Sequence, residues 1–224
     1  MSNRMTESAP ALELAKWIAI LTMVVDHAGY LLFDNLTLLR SIGRLSFPLF
    51  CWVIAVRLAE DPGRAGRYLP RLAFWAVLSQ LPFWLAFHAS SGNPLVSLNI
   101  MATLGLGVLI VRWMEQAVRL TTPLNQALCW LGIVGVLVLG GKCDYGTLGV
   151  AIIPILTVIA QISRDQSTRA LSVIAFVTNF VIVLPYLSQG SSVLVVACGA
   201  LLTGPVAALC LRGGAVLSPD RKST

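Results

Sequence analysis

Long apolar segments, separated by short polar ones, succeed one another along this chain. A helix needs about 20 apolar residues to cross the ~30 Å hydrocarbon core of a bilayer, and some of these segments lie at the lower limit of that length. Turn residues mark their ends. The pattern predicts eight membrane-spanning helices over Leu12–Phe33, Leu45–Leu58, Tyr68–Phe87, Leu98–Met114, Leu124–Gly140, Gly146–Ile162, Ala170–Leu187 and Val193–Leu211.

Three prolines affect these predicted helices differently. Pro48 suits the first turn of the second helix, where a proline fits without the loss of a hydrogen bond. Pro70 and Pro82 lie inside the third segment, and because proline removes a backbone donor we expect them to interrupt it.

Composition supports the same fold class. Hydrophobic residues make up 57% of the 224 residues and charged residues only 12%, whereas charged residues are about a quarter of a soluble globular domain. A soluble globular domain is therefore excluded. We predict an all-α, polytopic transmembrane helix bundle of about eight spans: one domain over residues 12–212, between a short mobile cytoplasmic N-terminal tail (1–11) and a cytoplasmic C-terminal tail (213–224).

Positive charge is distributed unequally between the two sets of predicted loops. With the N-terminus inside, the outer loops hold only Arg40, Arg44 and Lys142, and the other 13 of the 16 Lys and Arg residues lie inside. Cytoplasmic loops of membrane proteins carry an excess of Lys and Arg. This distribution predicts an even number of spans with both termini in the cytoplasm. It also explains the basic pI of about 9.4 without nucleic acid as a partner.

The largest basic cluster is the predicted inner loop Arg57–Arg71. Such a loop sets membrane orientation beside anionic lipids, and a specific phosphate or nucleotide site is the less favoured alternative. The five cysteines contain no C-x-x-C pair, so we expect reduced thiols and no disulfide framework.

An acid and a histidine stand side by side in Thr22–Tyr30 (TMVVDHAGY), near the end of the first apolar segment. An ionisable side chain at membrane depth costs at least ~2.5 kcal/mol, so such residues generally pair and serve function. Neighbours on a helix point about 100° apart, which argues against a simple Asp26–His27 dyad. We expect Asp26 to pair with Arg44 or Arg40. His27 is a candidate general base or carrier of an acyl group.

Other polar residues gather toward the predicted outer face, where guanidinium, amide and phenol groups can donate hydrogen bonds to a carbonyl or an oxyanion. Asp144 is the best candidate to orient His27. The predicted catalytic residues are His27, Asp26, Arg44 and Asp144, and the predicted substrate-binding residues are Arg40, Asn99, Thr103 and Tyr145. The competing interpretation is structural, because a buried Asp–Arg pair and a hydrogen-bonded histidine can simply hold helices together. His88, in a predicted loop, needs no function. No ligand spacing supports a zinc site, and we expect no metal.

An ordered series of short motifs resembles the TraX family, conjugation-linked membrane proteins associated with N-terminal acetylation of pilin. The motifs are MVVDHAGY (Met23–Tyr30), IGRLSFPLF (Ile42–Phe50), RYLPRL (Arg67–Leu72), SQLPF (Ser79–Phe83), LNIMATL (Leu98–Leu104) and CDYGTLGV (Cys143–Val150). The set, in this order, extends from residue 23 to residue 150 of the 224-residue chain.

The resemblance implies a multi-pass protein of the bacterial inner membrane with acyltransferase chemistry at an intramembrane histidine. It implies a pilin subunit as partner, the lipid bilayer as environment, and acetyl-CoA or another acyl-CoA as donor. Carried over by position, it supports His27 as the central residue, with Asp26, Arg44, Asn99 and Asp144 around it. Because acetyl-CoA is cytoplasmic and the polar residues lie outward, either the acyl group crosses the bundle, for example on His27, or CoA reaches in from the inner face.

Four functions are compatible with these residues, in order of preference. The first is acetylation of the N-terminal amine of pilin. The second closes a head-to-tail peptide bond in pilin, which also needs an activated acyl group and an amine. The third is a non-enzymatic assembly or maturation factor for pilin. The fourth is a small transporter in which the same charges relay protons.

Overall fold

The computed structural model describes residues 4–34, 36–87 and 97–162, and seven α-helices account for most of them. The helices are α1 (Arg4–Leu31), α2 (Thr37–Gly43), α3 (Ser46–Glu60), α4 (Ala65–Phe87), α5 (Ile100–Arg119), α6 (Pro123–Gly140) and α7 (Gly146–Ile162). A 3-10 helix, Pro62–Arg64, precedes α4. The predicted seventh and eighth spans, the C-terminal tail and His88 lie outside the described residues.

Six predicted spans coincide with described helices. They correspond in order to α1 and α3 through α7, and α7 has the predicted bounds. Pro48 lies in the first turn of α3, as expected. The helix α1 begins at Arg4, so the predicted N-terminal tail is helical from that residue onward. The short helix α2 was missed, because its seven residues were assigned to an outer loop.

The expectation that prolines interrupt the third span was wrong. The helix α4 continues through Pro70 and Pro82 for 23 residues. Each proline removes one backbone donor, and helices in membranes tolerate this where neighbouring groups hold the chain. A Cβ on Gly66 would lie 3.5 Å from the Arg112 guanidinium, and a Cβ on Gly105 would lie 3.6 Å from Leu72, so α5 packs on both sides of Pro70.

Three described helical segments are long and apolar enough to cross a membrane: Leu12–Leu31, Ile100–Arg119 and Pro123–Gly140. The shorter apolar stretch Gly146–Gln161 belongs to α7. The structure is therefore all-helical over its described residues and has the character of a membrane protein. The total of eight spans and the orientation stay predictions.

The chain divides into two compact units, and the boundary falls inside α3 between Val53 and Ile54. In the first unit, α1 and α2 form a tightly packed pair joined by a short turn. A Cβ on Gly29 would lie 2.6 Å from the Leu39 Cβ, which is closer than real Cβ atoms approach. Glycines at such positions let helix backbones come close together.

The second unit, Ile54–Ile162, contains α4 through α7. The contacts of α5 with α4 run from Asn99–Ala76 at one end to Arg112–Gly66 at the other, so these two helices are antiparallel. The helix α6 returns antiparallel to α5, and α7 then runs parallel to α5. Their shared core consists of Ile110, Ile133, Val136, Cys143 and Val150.

Candidate functional site

In the first unit, the structure brings an acid, a base and an aromatic ring together across α1 and α2. The Arg40 guanidinium donates a hydrogen bond to Asp26 Oδ2 at 2.9 Å, and both side chains are about four-fifths buried. The same guanidinium lies 5.1 Å from the centre of the Tyr30 ring. Asp26 and Tyr30 are four residues apart on α1, which places them on one face. A cation is thereby held between a carboxylate and the face of a π system.

Gly43 allows α2 to approach α1 closely at Asp26. A Cβ on Gly43 would lie 2.1 Å from the Asp26 Cβ and 2.7 Å from its Oδ1, so no larger residue fits without moving the backbone. Oδ1 is buried and accepts no hydrogen bond within the described part of the chain. A carboxylate oxygen in that state is costly unless its charge is compensated nearby, and the guanidinium of Arg40 provides that compensation.

His27 lies on an exposed face of α1, and its ring is oriented by the backbone. Its Nδ1 is 2.8 Å from the carbonyl oxygen of Met23, one helical turn earlier. A carbonyl oxygen can only accept, so Nδ1 carries the proton in the neutral ring and the lone pair is on Nε2. This tautomer presents Nε2 as the basic and nucleophilic atom.

Arg44 stands at the end of α2 and is half-buried. Its backbone N–H donates to the Arg40 carbonyl at 3.1 Å and closes the last turn of the helix. Of the two arginines expected to pair with Asp26, the structure selects Arg40. The spacing explains this choice, because Arg40 lies one turn before Gly43, where the two helices are closest.

In the second unit, Asn99 connects the start of α5 to α4. Asn99 is 2% exposed, and its Oδ1 accepts from the backbone N–H of Ala102, which caps the helix. Its Nδ2 donates to the Ala76 carbonyl at 2.7 Å and to the Ser79 hydroxyl at 3.2 Å. Gln80 accepts from the backbone N–H of Asn99. Both amide hydrogens of Asn99 are thus used within the protein.

The loop before α7 joins this region through backbone hydrogen bonds. The N–H of Leu98 donates to the Lys142 carbonyl, and the N–H of Asp144 donates to the Leu98 carbonyl, each at 2.8 Å. This bridge places Cys143 against α5 and leaves Asp144 exposed. Tyr145 follows, half-buried, before Gly146 turns the chain with a φ of 63° that favours glycine.

The thiol of Cys143 has an altered acidity. Burial is the main cause and raises its pKa, a hydrogen bond with Thr103 acts in the opposite direction, and the neighbouring Asp144 carboxylate raises the pKa further. Thr103 itself is fully buried, and its hydroxyl donates to the Asn99 carbonyl at 3.4 Å. The thiol is therefore protonated at neutral pH and is a weak nucleophile.

The predicted site residues thus fall into two groups, one in each unit. Asp26, Arg40, Arg44 and His27 belong to the first unit, and Asn99, Thr103, Asp144 and Tyr145 to the second. The predicted orientation of His27 by Asp144 and the predicted substrate-binding roles stay predictions. Within the described ranges, no three His, Cys, Asp or Glu side chains form a group suited to a metal ion.

Sequence reasoning missed four residues of these groups: Tyr30, Gly43, Ser79 and Gln80. Tyr30 could have been found from its spacing, because it stands four residues after Asp26. Gly43, Ser79 and Gln80 lie inside the quoted motifs, but only a known helix pairing shows what they contact.

Comparisons with known proteins agree with one another. The model of the TraX protein family matches residues 11–216. An uncharacterized protein of Rickettsia prowazekii, RP591, is 27% identical over 66% of this chain and 55% of its own length. Protein TraX of Escherichia coli is 31% identical over 46% of this chain and 40% of its own.

A third relative carries a name that concerns pili. The probable fimbrial assembly protein FimC, serogroup H1, of Dichelobacter nodosus is 31% identical over 58% of this chain and 55% of its own length. The chain spans about half the length of these curated relatives. No solved structure matches it.

Proposed function

Because this chain belongs to the TraX family, we propose that it is a membrane acyltransferase that acetylates the N-terminal amine of a conjugative pilin subunit. Relatives named for TraX and for fimbrial assembly point to a function related to pili or conjugation. The acyl-transfer activity and the pilin substrate go beyond those names. They are supported by His27 and by Asp26, the acid of the Asp26–Arg40 pair, which both stand on one apolar helix, where ionisable groups are costly.

The location that we propose is the bacterial inner membrane, with several spans and both termini in the cytoplasm. Three helical segments have the length and apolarity to cross a bilayer. In the second unit, the arginines of the 3-10 helix and of the end of α5 stand at one end, and Lys142 stands at the other, beside the start of α5. That separation is what the positive-inside rule requires.

The observation that carries the proposal is the contact between His27 Nδ1 and the Met23 carbonyl oxygen. With Nδ1–H bound to the Met23 carbonyl, Nε2 can take the proton that the attacking amine loses as it forms the amide. In the relay alternative, Nε2 attacks the acyl carbonyl, the thiolate leaves, and the amine then displaces the imidazole. The Arg40–Asp26 pair holds α2 against α1 at the residue that precedes His27 in the chain.

Acetyl-CoA is the donor that the family resemblance implies, and it would supply the activated acetyl group. Its phosphates require positive charge, and the segment Arg57–Arg71 contains four arginines and two acidic residues. This segment fits the donor by charge alone.

The direct test is the intact mass of the cognate pilin from cells that express variants of this protein. We expect His27→Ala to abolish the added acetyl group, whereas the control His88→Ala, which alters the other of the two histidines, retains it. Full acetylation by His27→Ala would refute both the general-base and the relay mechanism. A pilin that loses the mass of one water instead of gaining an acetyl group would identify head-to-tail cyclisation.

A second candidate is a non-enzymatic assembly factor, which the name of the fimbrial relative favours. It predicts unchanged pilin mass in cells that lack this protein, together with fewer assembled pili. The triple variant of Asp26, His27 and Arg44 would then assemble pili normally.

A further inference from the structure

The short helix α2 runs back along α1. Its contacts with α1 proceed from Leu39 at Gly29 to Gly43 at Asp26, so the two helices are antiparallel. Asp26 stands five residues before the end of Leu12–Leu31, a segment that is long and apolar enough to cross a bilayer. At 1.5 Å per residue, the end of α2 therefore lies about 7.5 Å inside that segment. A helix at this depth is not part of an aqueous loop.

The helix α3 is too short to cross a bilayer alone. Its 15 residues have a length of about 22 Å, whereas the hydrocarbon core is ~30 Å thick. Its last turn is already polar, because Arg57 pairs there with Glu60. With α2 and the two residues between the helices, the segment 37–60 has 24 residues and a length of about 36 Å. Only the two helices together have the length of a span.

The junction between α2 and α3 consists of Arg44 and Leu45. Arg44 has helical backbone angles, and its N–H donates to the Arg40 carbonyl, while the N–H of Leu45 donates to the Ile42 carbonyl. Pro48, in the first turn of α3, has no N–H and cannot continue the series of hydrogen bonds. Leu45 is buried. Irregular backbone at membrane depth is tolerated where protein buries it, so this junction is compatible with a bilayer.

The face of α2 that points away from α1 is apolar. Leu38 is 59% exposed and Ile42 is 41% exposed, and residues four apart share one face of a helix. The neighbouring end of α1 and the turn after it also expose large apolar side chains: Leu31, Leu32 and Phe33. The one basic group of α2, Arg40, is compensated by Asp26. A continuous apolar surface of this kind fits hydrocarbon better than water.

We propose that α2 and α3 are the two halves of one interrupted membrane span, and that Leu38 and Ile42 contact the hydrocarbon of the bilayer. The Asp26–Arg40 pair then lies within the hydrocarbon core instead of beside an outer loop. The break at Arg44 lies next to this pair, and discontinuous membrane helices form polar sites at such breaks. The inference rests on the proposed membrane location but not on the proposed acyl transfer.

The first test uses the wild-type, full-length protein in phosphatidylcholine bilayers that contain a photoactivatable lipid. Its diazirine is placed either at the end of an acyl chain or just below the head group, and mass spectrometry of peptides locates the adducts. We expect adducts at Leu38 and Ile42, with the chain-end probe favouring Ile42 because α2 descends into the bilayer. Lys142, exposed in the loop before α7, is the aqueous control and should carry none. Adducts on α2 from the head-group probe alone would place it at the interface and overturn the proposal.

The second test measures access from water. In permeabilised membranes, where both faces are reachable, a membrane-impermeant maleimide should label Leu38→Cys and Ile42→Cys at least about tenfold more slowly than Lys142→Cys, because hydrocarbon disfavours the reactive thiolate. The matched control is Leu131→Cys on the exposed face of α6, which should also react slowly. Circular dichroism establishes that each variant is folded. Labelling of Leu38→Cys and Ile42→Cys at the rate of Lys142→Cys would overturn the proposal.

The two tests together separate lipid from protein as the cover of α2. A face that gives neither lipid adducts nor maleimide labelling would be covered by protein, and this result would also overturn the proposal. Because both readouts concern the environment of α2 and not the mass of pilin, the interrupted span and the acyl transfer can fail independently.

Discussion

At Arg40, one guanidinium serves two neighbours, the Asp26 carboxylate at 2.9 Å and the Tyr30 ring at 5.1 Å. Arg40→Ala would leave a largely buried carboxylate without its cation. Removal of one partner from a fully buried pair costs about 3–5 kcal/mol, and we expect about 2–3 kcal/mol here because the side chains are partly accessible. Thermal unfolding in detergent measures the change.

The matched control is Arg67→Ala, which breaks the more exposed pair with Asp61. Pairs at the surface contribute about 0–1 kcal/mol, so this variant should unfold close to wild type. The double variant Asp26→Ala, Arg40→Ala should be more stable than Arg40→Ala, because it removes the unpaired charge. Equal losses of stability for Arg40→Ala and Arg67→Ala would mean that the Asp26–Arg40 pair stabilises the protein no more than an exposed ion pair does.

Cys143 shows how one neighbour alters the acidity of a buried thiol. The Asp144 carboxylate raises the thiol pKa by repelling the thiolate, so Asp144→Asn should lower the pKa and increase the thiolate fraction at any pH below it. Alkylation by N-ethylmaleimide, followed by mass spectrometry of the Cys143 peptide, should be faster than in wild type, since the thiolate is the form that reacts.

The alkylation rate should rise with pH in wild type and in Asp144→Asn. The plot of rate against pH for Asp144→Asn should be shifted to lower pH. Asp34→Asn, in the turn after α1, removes an exposed carboxylate elsewhere and should leave the curve unchanged. A curve for Asp144→Asn that coincides with that of wild type would show that burial alone sets the reactivity of this thiol.

Among the elements, the α1–α2 pair depends on backbone approach at Gly29 and Gly43. A Cβ on Gly43 would lie 2.1 Å from the Asp26 Cβ, so Gly43→Ala must separate the helices and weaken the Asp26–Arg40 pair. We expect a loss of about 1–3 kcal/mol, the usual cost of overpacking, together with reduced acetylation of pilin. Thermal unfolding and pilin mass measure the two effects.

Gly135→Ala is the matched control, because a Cβ on that glycine of α6 has no atom within 4 Å. Alanine favours helix more than glycine does, so this variant should be neutral or more stable by up to about 1 kcal/mol. If Gly43→Ala were as stable as Gly135→Ala, the close contact of α1 and α2 would not require a glycine at position 43.

At the scale of the whole molecule, the distribution of charge predicts which end of each helix faces the cytoplasm. In the second unit, Arg67 and Lys142 test this orientation. Arg67 and Lys142 are both exposed and stand near opposite ends of α5, which has 20 residues and so a length of about 30 Å. In intact spheroplasts, a membrane-impermeant maleimide should label Lys142→Cys, and Arg67→Cys only after permeabilisation. Wild type supplies the background from the natural cysteines. Reversed labelling would reverse the orientation.

Much of the architecture was determined by the sequence alone, because apolar length and turn residues act locally. Six predicted spans coincide with described helices, and α7 has the predicted bounds. The family was recognisable from ordered motifs, and the match over residues 11–216 confirms it. An ionisable residue in an apolar segment also requires a partner wherever the chain folds, which is why a basic partner for Asp26 was expected in advance.

Only the tertiary structure decided which partner that would be and how the helices approach. Arg40 and Arg44 stand four residues apart, and the contact of Gly43 with Asp26 selects Arg40. Asn99 and Thr103 were expected to bind substrate. The hydrogen bond from Asn99 to α4 became visible only once α4 and α5 were paired, whereas the Thr103 hydroxyl donates to the carbonyl of Asn99, one turn earlier in the same chain segment. Periodicity specifies the face of a helix, whereas the distance between two faces depends on residues far apart in the chain, and that distance decides which polar groups meet.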